Sequence, residues 1–238
     1  YVGSNNINLF MPNGQFGTRL QGGKDSASER YIFTQLNPIT RYIFPQVDDQ
    51  VLSYLDDDGQ QVEPIYYAPI IPMILVNGTT GIGTGFSTNI ITYNPKQIIQ
   101  RLMNILKTGS ANDVSIEPYA EGFTGTIEWM EDKYVITGKY DVLDATKVHI
   151  TELPLGTWTD DYKEYLEKCI DGTVKGSKTS SGGTIIKSYV DMSTDKTVDI
   201  TVTFAKGVLQ GLMSEEAQYN KNGLEKMLKL YTTHSRNN

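Results

Sequence analysis

Apolar residues recur at helical spacing in four stretches of the chain's later part. Ile98, Ile99, Leu102, Met103 and Leu106 share one face. Asn94-Pro95 just before them supplies an N-cap and a proline suited to the first turn, so the spacing predicts a helix over Pro95–Lys107. Tyr162, Tyr165, Leu166, Cys169 and Ile170 predict a second helix over Asp160–Ile170, with Thr159 as its cap and Asp160 and Asp161 at its positive end. Val208–Met213 and Leu224–Tyr231 read as two more amphipathic helices. Elsewhere the period is two. Gly125–Met130, Tyr134–Val142, Lys147–Leu153, Thr184–Met192 and Thr197–Phe204 alternate apolar and polar side chains and predict strands. Gly172–Gly183, rich in Gly, Ser, Thr and Lys, reads as a mobile loop.

Before Asn94 the pattern is different. Val2–Pro12 holds a short apolar run with strand character, closed by Pro12-Asn13-Gly14. Gly14–Phe33 (GQFGTRLQGGKDSASERYIF) is too glycine-rich for a helix and too polar for a core strand. It reads as an exposed loop, and such loops commonly carry function. Tyr31–Leu36 is too short for periodicity to decide between strand and helical turn. Ile39, Tyr42, Ile43 and Phe44 are helically spaced and stopped by Pro45. Asp56-Asp57-Asp58-Gly59 is a hairpin turn between Val51–Leu55 and Gln61–Glu63. A metal pair at Asp56 and Asp58 is the weaker reading, because the turn already explains these residues. Tyr67–Val76, twice interrupted by proline, reads as buried extended chain. In Asn77–Ser87 four glycines fall within Gly78–Gly85, so its backbone can approach another molecule closely. The change of character at Asn94 predicts an α+β protein with a loop-rich site region over 1–93 and a second domain over 94–238.

Composition narrows the possibilities. The chain has 238 residues and a formal net charge of −7, which argues against bulk affinity for nucleic acid. The charge is uneven. Arg19, Lys24, Arg30 and Arg41 cluster around the glycine-rich loop, whereas 42–95 holds no Lys or Arg and six acids. No apolar run is long enough to span a membrane. One cysteine excludes a disulfide framework, and with two distant histidines, His149 and His234, no His/Cys metal site can be built. A start on Tyr1 leads us to expect a piece of a longer polypeptide.

Two nucleotide motifs fail on residues. A phosphate-binding loop needs glycine five positions before Gly23, where Thr18 stands, and Ser or Thr after Lys24, where Asp25 stands. A dinucleotide fingerprint needs a third glycine where Phe86 stands. Arg30-Tyr31 is the better candidate. A free phenol titrates at about pH 10 and is a poor nucleophile unless a cation stabilises the phenolate; with that help it can form a covalent intermediate. A neighbouring guanidinium can also bind phosphate oxygens in a bidentate way. Spacing alone does not separate Tyr31 from packing residues, since the chain holds 15 tyrosines.

The run QFGTRLQGGKDSAS-x-RYIFT, then VEP, PIIPMILVNGTTGIGTGFS and ITELPLGTWTDDYKE, closely resembles eukaryotic-type DNA topoisomerase II, a type IIA topoisomerase, in register over essentially the whole chain. The resemblance implies a partial winged-helix domain with a catalytic loop, followed by a tower-like domain of mixed strands and helices. It maps the family's nucleophile onto Tyr31 and its partner arginine onto Arg30. It implies DNA contacts at Lys24, Arg19 and Ser28. Ile82, flanked by Gly81 and Gly83, matches an isoleucine that wedges between base pairs. Glu29 departs from the family pattern, where proline or a small residue commonly stands, and its carboxylate would oppose a phosphate or pair with a base. The resemblance further implies double-stranded DNA as partner and a homodimer. It implies Mg2+ and ATP as cofactors, each bound by a domain absent here, and an isolated piece that does not cleave. It extends to a viral form of the enzyme, which would act in the host cytoplasm; a cellular form would be nuclear. A non-catalytic DNA-bending module that uses Ile82 but not Tyr31 is the alternative.

Overall fold

The computed structural model describes residues 1–111 and 114–236. Contacts divide the chain into two compact units. The first comprises Asn5–Gln15 and Ser28–Ala120; the second comprises Tyr1–Ser4, Phe16–Ala27 and the chain from Glu121 onward. The glycine-rich loop is therefore shared between them, and each unit is described by itself.

In the first unit the strands are β1 (Tyr54–Asp57) and β2 (Gln60–Pro64), then β3 (Thr79–Gly83) and β4 (Phe86–Ile90), forming two separate antiparallel ribbons. The helices are α1 (Thr40–Ile43), α2 (Met73–Val76) and α3 (Pro95–Thr108). The β1–β2 turn forms as expected. Asp58 and Gly59 take positive φ, and Asp56 Oδ1 accepts from Gly59 N at 2.8 Å, which is the turn role rather than a metal role. Asn94 caps α3 by accepting from Lys96 N at 3.0 Å. Ile98 of α3 joins Ile43, Ile71 and Val76 in a small core, so packing groups α3 with the segment before it.

Two expectations in this unit are corrected. Val2–Pro12 is not a strand. At Ile7 its backbone is held by a side chain, Asn77 accepting from Ile7 N and donating to Ile7 O, both at 3.0 Å. Further on it makes an isolated antiparallel bridge, Phe10 opposite Leu36, with Met11 N donating to Gln35 O and Asn37 N to Leu9 O at 2.9 Å each. Tyr67–Val76 is not simply buried extended chain. Tyr67 and Ile70 are exposed, and Met73–Val76 turns into α2, because a proline at the entry to a helix forfeits no helical hydrogen bond.

The second unit holds a four-stranded antiparallel sheet ordered β7 (Lys139–Val142), β8 (Lys147–Glu152), β10 (Ile200–Phe204), β9 (Ile186–Asp191). A three-stranded sheet is ordered β11 (Tyr231–Ser235), β6 (Lys133–Thr137), β5 (Thr126–Met130). Helices α4 (Thr159–Ile170), α5 (Val208–Ser214) and α6 (Gly223–Met227) complete it. Val148 and Ile150 of β8, Ile200, Val202 and Phe204 of β10, and Tyr162, Leu166 and Cys169 of α4 share one buried core. This is the strand alternation and helix stripe expected from sequence.

Three details differ from expectation. Tyr134–Val142 is two strands in two sheets, parted at Gly138, where a Cβ would lie 2.3 Å from Glu152 O. Leu224–Tyr231 is not one helix: Lys229 adopts φ 50°, ends the helical path, and lets β11 begin. Thr159 does not cap α4. It is the first helical residue, and Trp158 stands at the cap without a side-chain bond.

Candidate functional site

Glu29–Tyr31 forms one turn of 3-10 helix. Tyr31 N donates to Ser28 O at 2.9 Å, and Ile32 N to Glu29 O at 3.1 Å. Ser28 is extended at the entry, and its hydroxyl makes no capping bond. The turn has no buried residue, and the Tyr31 side chain is 68 % exposed. Arg30 Cζ lies 5.0 Å from the centroid of the Tyr31 ring. The guanidinium thus lies beside the phenol, and both groups are open to solvent. Such a stack is worth about 0.5–1 kcal/mol at an exposed site, enough to bias the pair without locking it. Among the described residues Glu29 forms no ion pair.

The glycine stretch after Asn77 is a β-ribbon, not an irregular loop. Gly81 pairs with Thr88, Ile82 with Ser87 and Gly83 with Phe86. Gly85 needs its glycine, because φ there is 79° in the turn. Gly81 and Gly83 do not. Their φ values are not positive, a Cβ on Gly81 would meet nothing within 4 Å, and one on Gly83 would only touch Phe86 O at 3.7 Å. The chain itself gives no reason for glycine at these two positions. Between them Ile82 is 92 % exposed. A packed isoleucine is excluded, and an apolar side chain stands free on a narrow ribbon.

Sequence reasoning missed Phe86, which it used only to reject a dinucleotide motif. Directly opposed residues share a ribbon face and successive ones alternate, so Phe86 stands with Gly83 on the face away from Ile82. It is 85 % exposed. The signal available in sequence was an aromatic flanked by a turn glycine and a Ser-Thr-Asn run.

Lys24 and Arg19 belong to the second unit. Lys24 is exposed. Asp25, beside it, points back into its own loop: Thr18 N donates to its carboxylate at 2.9 Å, with a second bond from the Thr18 hydroxyl. Those bonds hold the Asp25 carboxyl below its ordinary value. Arg19 is a correction. Its side chain is buried and paired with the buried carboxylate of Glu152. A guanidinium enclosed in this way is not available to a phosphate, so Arg19 leaves the set of DNA-contacting candidates.

Among the described residues no group of three or more His, Cys, Asp or Glu side chains stands together to hold a metal ion. The described residues therefore do not fit Mg2+. No helix among the described residues is long and apolar enough to cross a membrane.

The family model for the A-type subunit of DNA gyrase/topoisomerase IV matches residues 1–238. The chain belongs to this gyrase and topoisomerase family. It is 46 % identical over 240 residues to DNA topoisomerase 2 of Arabidopsis thaliana, covering 98 % of this chain and 15 % of that protein. It is 48 % identical over 233 residues to DNA topoisomerase 2 of Bombyx mori, covering 98 % and 14 %. Among solved structures it matches the topoisomerase II DNA-binding, cleavage and re-ligation domain of Plasmodium falciparum with a TM-score of 0.87 and 40 % identity, over 100 % of this chain and 30 % of that one. The α+β class agrees with that topoisomerase domain. The chain spans about one seventh of the length of these curated relatives. They come from cellular organisms and give the viral expectation no support.

Proposed function

We propose that this chain is the breakage-reunion part of an ATP-dependent type IIA DNA topoisomerase, and that Tyr31 is its nucleophile. The single observation that carries this reading is the exposed Tyr31 phenol with the Arg30 guanidinium 5.0 Å from its ring centre. Tyr31 Oη attacks a backbone phosphorus, a Tyr–O–P bond forms to the DNA 5′ end, and the P–O3′ bond breaks to release a 3′-hydroxyl. Religation is the reverse, so the phosphodiester energy is retained and sealing consumes no other reactant. Arg30 stabilises the charge that builds on the phosphoryl oxygens. Lys24 contacts a DNA phosphate, with Ser28 as a weaker polar contact. By the same resemblance residues 1–93 are the end of a winged-helix region with the bending ribbon, and 94–238 a tower domain. The enzyme acts as a homodimer on double-stranded DNA in the nucleus. Mg2+ and ATP, the cofactors that the resemblance implies, would be held by other domains.

The test is to map the covalent link. A full-length enzyme carrying this chain is incubated with Mg2+ and duplex DNA, trapped with denaturant and digested. The nucleotide-bearing peptide should contain Tyr31 joined to a 5′ end. A link at another tyrosine, or to a 3′ end, rejects the assignment.

Ile82 supplies the bend. Unstacking a base step costs a few kcal/mol, offset by the wider contact a bent duplex allows. Because Ile82 is 92 % exposed, Ile82→Ala should change stability by less than about 0.5 kcal/mol. It should lower DNA bending, read by energy transfer between labelled duplex ends, and reduce cleavage by about tenfold or more. Unchanged bending rules the wedge out.

A further inference from the structure

The motif ITELPLGTWTDDYKE has no part in the chemistry above, yet the structure folds it onto the glycine-rich loop within the second unit. Glu152, at the end of β8, is fully buried. Its carboxylate takes the Arg19 guanidinium, Thr124 N and Oγ1 at 3.1 Å each, and Leu153 N at 2.9 Å. Arg19 Nη2 also reaches Leu153 O at 3.4 Å. A little further on, the Trp158 indole fills the space beside Gly22: a Cβ there would lie 2.2 Å from the ring, and Gly22 itself has φ +61°. The start of α4 takes the loop's backbone. Asp160 N donates to Leu20 O at 3.0 Å and Thr159 N to Arg19 O at 3.5 Å. These carbonyls satisfy the donors that a capping side chain would otherwise take at the helix start.

The segment 19–22 is therefore gripped by an ion pair, by a helix N-terminus and by an indole. Just beyond the grip the loop closes on itself: a Cβ on Gly17 would lie 2.5 Å from Gly23 Cα. Lys24 follows at once, exposed, and then the chain runs on to Ser28–Tyr31. A buried ion pair is weak evidence for stability, since apolar packing of equal volume often serves as well. What a carboxylate with four fixed donors does provide is geometry. A lysine on a free glycine loop must be ordered when it meets a phosphate, whereas one on a fixed loop is ordered beforehand.

We infer that Glu152, acting through Arg19, and Trp158, acting through Gly22, are positioning residues for Lys24. The inference rests on the proposed reading, in which Lys24 meets DNA while Tyr31 cleaves it. The test is a cycle of Glu152→Gln, Lys24→Ala and the double variant in a full-length enzyme carrying this chain. Each is read as the single-turnover rate of adduct formation with Mg2+ and duplex DNA, at a temperature where circular dichroism shows the variant folded. Glu152→Gln should slow adduct formation at least about tenfold. Lys24→Ala should be damaging in the parent and should cost less than about twofold more in the Glu152→Gln background. Multiplying effects, or a parental rate for Glu152→Gln, overturn the inference. If Glu152→Gln does not fold, Gly22→Ala takes its place in the same cycle with the same criteria, because it displaces the loop and leaves the buried carboxylate untouched. Failure of the underlying reading looks different: the parent forms no adduct at Tyr31, or Lys24→Ala alone cleaves at the parental rate, and either result removes the inference with it.

Discussion

Tyr31→Phe should leave DNA binding close to the parental level and abolish the covalent protein–DNA adduct. The change removes one oxygen from a side chain that is 68 % exposed and lies in a turn with no buried residue. It therefore forfeits no core packing and leaves the turn's hydrogen bonds in place, since backbone groups alone make them. Phe keeps the ring face and so keeps the contact with Arg30. On the proposed reading the hydroxyl lost is the nucleophile, and adduct yield should fall by about a thousandfold or more. The measurement is adduct trapped by denaturant from full-length enzyme with Mg2+ and duplex DNA, beside a binding titration at one fixed salt concentration. Adduct at the parental level would leave only the DNA-bending reading standing.

Arg30→Gln should slow adduct formation by about 10²–10³-fold at saturating DNA, the usual cost of deleting one group that stabilises developing negative charge. A competing account is that Arg30 matters only by stacking on Tyr31. Magnitude separates the two. An exposed cation–π contact is worth about 0.5–1 kcal/mol, a few-fold in rate at most. Arg30→Lys keeps the charge and loses the planar fork, so it should fall between parent and Arg30→Gln. Single-turnover rates decide. A defect that disappears when DNA is raised would mean that Arg30 serves binding and not the transition state.

The sequence made some of this legible and hid the rest for identifiable reasons. α3 and α4 were readable because their apolar positions recur every three or four residues. α4 buries that stripe, whereas on α3 Ile98 is buried with Leu102 packed beside it, and Ile99, Met103 and Leu106 are exposed. The β8 and β10 strands were readable because one face of each is buried and alternation follows. Periodicity could not show that Tyr134–Val142 changes sheets. That depends on the Glu152 carbonyl, at the end of β8, crowding Gly138. Nor could it place Val2–Pro12, whose partners are the Asn77 side chain and, through a single antiparallel bridge at Phe10, the backbone around Leu36. At the site, the Arg30–Tyr31 adjacency was written in the chain. The burial of Arg19 was not, because a basic residue in a glycine-rich loop looks the same whether it faces solvent or a carboxylate 133 positions away.

Gly81 and Gly83 carry a last consequence. Among the described residues no neighbour would crowd a Cβ at either position: Gly81 has nothing within 4 Å, and Gly83 only an ordinary contact with Phe86 O at 3.7 Å. A mutant library sorted by yield or heat resistance would pass nearly any small residue at either position as harmless. Selection for growth on supercoiled chromosomes would remove the same variants. Disagreement between those two screens, position by position, would draw the outline of the bound duplex on the protein without a single diffraction spot.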